Sequence, residues 1–147
     1  MANFVYNEIK RAVIEGEIDL GTGGDTIKVR LVMTNTTCDT EDDVNTLDGF
    51  TTIDVYDGSS YADQTIANQV VNEDSANDRA EMDGDNVTFS TLGVGTRQCQ
   101  GALIYKFVTN DTDSVPIAFI DTGGFPFDGS GADVTIQWNA EGILQQA

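Results

Sequence analysis

The sequence predicts an all-β fold: a single antiparallel β-sandwich, jelly-roll-like or barrel domain with a short N-terminal helix. Three observations predict it. Thr, Asn, Asp and Gly are plentiful among the 147 residues. These types favour strands and turns, because Asx and Thr side chains compete with a helix for backbone hydrogen bonds. Short runs such as "DTIKVRLVMTNT" alternate apolar with polar residues, the period of a half-buried strand. Turn signals recur at the spacing of about 8–12 residues that marks sandwiches and barrels. The length fits one domain, 1–147, read as a helical arm over 1–20 and a β domain over 25–144.

Each element follows from its residues. In "NFVYNEIKRAVIEGEIDL", Phe4, Val5, Ile9, Val13 and Ile14 recur at helical spacing, Asn3 stands where a cap belongs, and Gly16 stops the helix. Ile27, Val29, Leu31 and Met33 then line one face of the first long strand. "CDTEDDVNTLDGF" is turn-rich, with one helical turn expected over 40–43. "FTTIDVYDG" reads as a strand ended by Asp57 and Gly58, and "QTIANQVVNED" as another with weaker alternation. Strands are expected over 80–82 and 86–89 on either side of a turn at Gly84. "ALIYKF" is apolar and short enough for a central strand, and "SVPIAFIDTGG" follows with Pro116 near its start, where a missing N–H is tolerated. "FPFDGSG" is a loop. The last strand, 133–139, puts Val134, Ile136 and Trp138 on one face.

Charge narrows the function classes. The 25 acidic and 7 basic residues leave a formal charge of -18. Such a field repels nucleic acid and anionic membrane, since phosphate binding depends on Lys and Arg. Neither is expected as a partner. Four of the seven cations (Lys10, Arg11, Lys28, Arg30) fall in the first 30 residues, so the N-terminal surface is a candidate face for an acidic partner. No run of apolar residues reaches membrane-spanning length, and the N-terminal residues lack a secretory pattern. Cys38 and Cys99 form no metal or redox motif and read as free, buried thiols of a protein made in a reducing cytoplasm.

The chain contains no histidine, which removes the commonest general base and metal ligand. Most aspartates lie in Gly- and Asn-rich turns, where solvated loop positions are the ordinary explanation, so no catalytic residue is assigned. "NEDSANDRAEMDGDN" is carboxylate-rich, but six residues after Gly84 stands Ser90 in place of the glutamate that closes a calcium loop. No cofactor or metal is expected. Arg79, between Asp78 and Glu81, reads as a structural ion-pair hub.

Four stretches carry a resemblance in collinear order. "AVIEGEIDL…DTIKVRLV", "NDRAEMDGDNVTF", "GALIYK" and "DVTIQWNAEGIL" resemble segments of a family of small tailed-bacteriophage virion proteins encoded near the head genes. The stretch from "NTTCDT" to "SSYADQ" departs from that family's pattern. The resemblance implies a capsid decoration, or cement, protein on the outer surface of the phage head, made in the host bacterial cytoplasm. Its implied partners are the major capsid protein and itself, as a homotrimer. The rivals are a head–tail connector, tail tube or fibre-associated protein, and a carbohydrate-binding β-sandwich displayed on the particle.

Six residues are candidates for capsid or subunit contacts. Phe4, Tyr6, Lys10 and Arg11 combine aromatic and cationic character typical of interface anchors. Phe125 and Phe127 sit in a Gly- and Pro-rich loop. Val134, Ile136, Trp138 and Arg79 are expected to be structural, with Trp138 closing the core.

Overall fold

The structure, a computed structural model, describes residues 3–146. Among these residues ten strands form three antiparallel sheets, accompanied by one α-helix. The largest has five strands in the order β1 (Phe4–Val5), β8 (Val115–Ile120), β7 (Cys99–Lys106), β2 (Ile27–Met33) and β3 (Gln64–Thr65). A second joins β10 (Leu144–Gln146), β5 (Arg79–Asp83) and β4 (Val70–Asp74), and a third pairs β6 (Val87–Leu92) with β9 (Ala132–Ile136). The architecture is an all-β, sandwich-like domain with a short helix near its N-terminus. Among the described residues no sheet closes into a barrel.

β7 is the central strand, as its apolar composition predicts. It pairs with β2 from Ile27 opposite Lys106 to Met33 opposite Cys99, and with β8 on its other side. Leu103 and Ile104 are buried beside Val29 and Leu31 of β2. Val87, Phe89 and Leu92 from β6 and Met82 from β5 join the same core, so the smaller sheets cover one face of the large one.

The helix begins later than its periodicity predicts. α1 spans Asn7–Glu15, buries Ile9 and Ala12, and ends at Gly16, whose φ of 70° suits a residue without Cβ. Phe4 and Val5 form β1 instead, opposite Phe119 and Ala118. Asn3 does not cap the helix: its Oδ1 accepts from the Asp121 N–H and its Nδ2 donates to Thr122 Oγ1. Tyr6 holds the cap position without a side-chain bond. Pairing with β8 supplies long-range hydrogen bonds that a first helical turn leaves unmade. Ile14 is 87% exposed, because the helix meets β8 with its Ile9 and Ala12 side only.

Other elements shift for similar reasons. "FTTIDVYDG" contributes one bridge, Val55 to Val32, because Asp54 takes a φ of 53° and breaks the extended run. The turn expected over 40–43 is non-helical, and a 3-10 turn lies at Leu47–Gly49 instead. "QTIANQVVNED" divides into β3 and β4, which serve different sheets. β5 and β6 flank Gly84 without pairing; β5 lies between β4 and β10, while β6 meets β9.

Candidate interaction cleft

An apolar cleft of about 890 Å³ opens where the outer strand of the large sheet faces the smaller sheets. β1 and β8 supply Phe4, Val5 and Phe119 on one side. β9 and the segment after it supply Val134, Ile136 and Trp138, β10 supplies Leu144, and the loop after β8 supplies Phe125 and Phe127. Among the described residues the lining holds no charged side chain; its polar members are Asn, Gln and Thr. That composition stands out on a chain of net charge -18.

The strand period explains how the cleft forms. Alternation sends Val134 and Ile136 to one face of β9 and Thr135 to the other, where its hydroxyl meets Thr88 Oγ1 at 2.8 Å. Among the described residues β9 pairs only with β6, and Val134 and Ile136 stay half-buried. Trp138 follows β9. Its backbone N–H donates to Asn86 Oδ1 at 3.1 Å, and its indole Nε1 donates to the Asp85 carbonyl at 2.8 Å. The ring is thereby held at the cleft wall. Trp138 is half-buried and does not close the core, contrary to the sequence expectation. That closure comes from residues such as Phe89, Leu92 and Tyr56, all within 2% of full burial.

The six contact candidates divide. Phe4, Phe125 and Phe127 all line the cleft, and the last two pack as a tilted pair with ring centroids 5.5 Å apart. Tyr6 is fully buried, its hydroxyl donating to the Cys38 carbonyl at 2.6 Å, so it is a core residue and not a surface anchor. Its phenol is pushed far above its ordinary pKa by desolvation, with smaller contributions from Cys38, Asp39 and Asp42. Burial wins because Tyr6 follows β1 directly and turns inward against Phe50.

The expected N-terminal cationic face is largely neutralised from within. Arg11 pairs with Glu8, Glu15 and Glu17, Lys10 is exposed and donates to Asn7 Oδ1, and neither lines the cleft. Arg30 pairs with Asp63 and Asp111 at 2.8 Å each, while Lys28 lies 3.8 Å from the Phe107 ring centroid. In so acidic a chain the other cations find an internal carboxylate or ring, and Lys10 finds an amide oxygen.

Arg79 contacts Asp74, Glu81 and Glu141 and donates to Gln145 Oε1. Asp78, its sequence neighbour, is not among these partners. The guanidinium ties β4 and β5 to β10, and so holds the strand that carries Leu144 into the cleft. Cys38 and Cys99 are free and buried; desolvation is the chief cause pushing each thiol up to about 12. Among the described residues no cluster of His, Cys, Asp and Glu has the arrangement to hold a metal ion.

The sequence reading missed two features. Tyr56 is a buried hub whose hydroxyl donates to the Gly93 carbonyl and accepts from the N–H groups of Gly95 and Gly129. The only sequence signal was glycine abundance. The cleft itself was also missed, because alternation names an apolar face without naming what covers it. No protein-family model, curated protein or solved structure matches this chain.

Proposed function

We propose that this chain is a non-enzymatic structural protein of a tailed-bacteriophage particle, a cement that binds the outer surface of the assembled head across joints between capsomers. The observation that carries the reading is the uncharged aromatic cleft on an otherwise strongly acidic domain. An uncharged recess lined by aromatic and aliphatic side chains with a few amides suits contact with another molecule better than the acidic surface around it does. The collinear resemblance to small virion proteins points the same way. A protein that binds the assembled lattice and not its separated subunits stabilises the shell by mass action. Binding as a homotrimer would place three such clefts around one lattice position.

The deciding experiment is the copy number in purified particles relative to the major capsid protein, by quantitative mass spectrometry. A number comparable to the capsid subunit is expected. A handful of copies would move the protein to the neck or tail, and absence would remove every virion role.

One observation favours a second reading, a carbohydrate-binding module displayed on the particle. Trp138 lies at the cleft wall beside Asn139, with Gln137 and Asn3 also in the lining. An aromatic face flanked by amides suits neutral sugars. Glycan-array binding that is lost in Trp138→Ala would support it.

A further inference from the structure

All three sheets end at the cleft. Among the described residues β1 is the outermost strand of the large sheet, β9 has only β6 beside it, and β10 has only β5. Phe4, Val134 and Leu144 bring these strands to the same recess. An outermost strand presents a row of backbone N–H and C=O groups to whatever lies alongside, and proteins commonly guard such edges with charge, proline or a covering element. The lining holds neither charged residues nor proline among the described residues. Charge begins at its border. Asp128 and Glu141 are exposed and adjoin the lining residues Phe127 and Gly142 in sequence, whereas Asp133 shares the Thr135 face of β9 and accepts from the Thr91 N–H. Both border residues are acidic, and Arg79, the cation that reaches Glu141, is already shared with Asp74 and Glu81.

We propose that the cleft receives an extended arm of the phage shell protein by strand addition, an inference that rests on the cement reading above. Alternate apolar side chains of the arm seat against Phe4, Ile136 and Trp138. Its main chain continues one of the open edges, and basic residues flanking the apolar run meet Asp128 and Glu141. Strand addition draws affinity from main-chain hydrogen bonds and specificity from pockets for alternate side chains. A second copy of this chain is a poorer occupant, because each copy carries -18 and would bring a like-charged border against this one.

The lone tryptophan makes the test direct. The full chain is titrated with a blocked peptide of alternating valine and threonine carrying paired lysines at both ends, and with the same peptide carrying glutamates. Trp138 emission reports occupancy. The expected result is a saturable blue shift with the lysine peptide, at least about tenfold tighter than with the glutamate peptide and weakened by salt. Ile136→Asp should abolish the shift, and Ile14→Ser, distant from the lining, should leave it unchanged. Because Ile136→Asp could fail to fold, Asp128→Asn combined with Glu141→Gln supplies a second test: it should narrow the gap between the two peptides.

Three results would overturn the proposal: no saturable shift with either peptide, equal affinity for both, or a concentration-dependent shift with dimer sedimentation in the absence of peptide. Presence in particles at capsid-like copy number without peptide binding would overturn this inference and leave the cement reading standing. Absence from particles would overturn the cement reading and with it the arm's source, even where the lysine peptide binds.

Discussion

The indole N–H of Trp138 donates to the main-chain carbonyl of Asp85 at 2.8 Å, which fixes the chain's single tryptophan at the wall of an apolar cleft. The bond crosses from the segment after β9 to the turn that leads into β6. Together with the Trp138 N–H to Asn86 bond it extends the β6–β9 pairing past the last ladder pair. Trp138→Phe is expected to keep the fold and to lower stability by about 1 kcal/mol, the net worth of one such hydrogen bond. Urea unfolding followed by circular dichroism reads that change, and a loss several times larger would show that the indole closes the core after all.

Tyr56 and three glycines make a tighter joint than any cleft residue. A Cβ on Gly129 would collide with the Gly93 carbonyl and the Tyr56 hydroxyl. Gly129→Ala should therefore cost about 2–3 kcal/mol through overpacking. Tyr56→Phe leaves the Gly95 and Gly129 N–H groups and the Gly93 carbonyl without their partner, a cost of about 2 kcal/mol. Denaturant midpoints of both variants test this, and wild-type midpoints would show that the joint is slack.

Arg79 holds β10 through Gln145 and Glu141 while gripping Asp74 and Glu81 on the neighbouring strands. Arg79→Gln should release β10 selectively. Hydrogen exchange should speed up across residues 142–146 while β2 and β7 keep their protection. Uniform acceleration in both places would mean that the ion pairs support the whole domain.

Burial of Cys38 and Cys99 fixes the direction of an alkaline transition. Each thiol is raised from about 9 to about 12 on folding, so the folded state retains protons that the unfolded state gives up. Their stabilising contribution is complete below about pH 9 and is lost as pH rises toward about 12. Tyr6, Tyr61 and Tyr105 are raised by desolvation in the same sense. The domain should therefore unfold in this window, with tyrosine ionisation at 295 nm (roughly the phenolate band) appearing together with loss of the native circular dichroism signal. A thiol reagent at mildly alkaline pH should label neither cysteine until denaturant is added. Rapid native labelling would show that at least one thiol reaches solvent.

Much of the β framework is legible from local pattern. Alternation in "DTIKVRLVM" places Ile27, Val29 and Leu31 inward, and the short apolar run of "GALIYK" marks the strand that is covered on both sides. Gly16 ends the helix where a left-handed residue is needed. Local pattern fails where a distant partner overrides it. Phe4 and Val5 fit a helix by spacing but pair with β8, and Asp54 interrupts a run that reads as a strand.

By itself the sequence determined the strand-rich class, the inward face of each long strand and the acidic surface, because these depend on neighbours two to four residues apart. The tertiary structure alone decided that β1, β9 and β10 end at one recess, that Tyr6 turns inward, and that Trp138 stands at a cleft wall. The physical reason is that side-chain period assigns a residue to a face of its strand, whereas burial depends on what distant chain comes to cover that face. Among the described residues β9 pairs with β6 alone, and its apolar face borders the cleft.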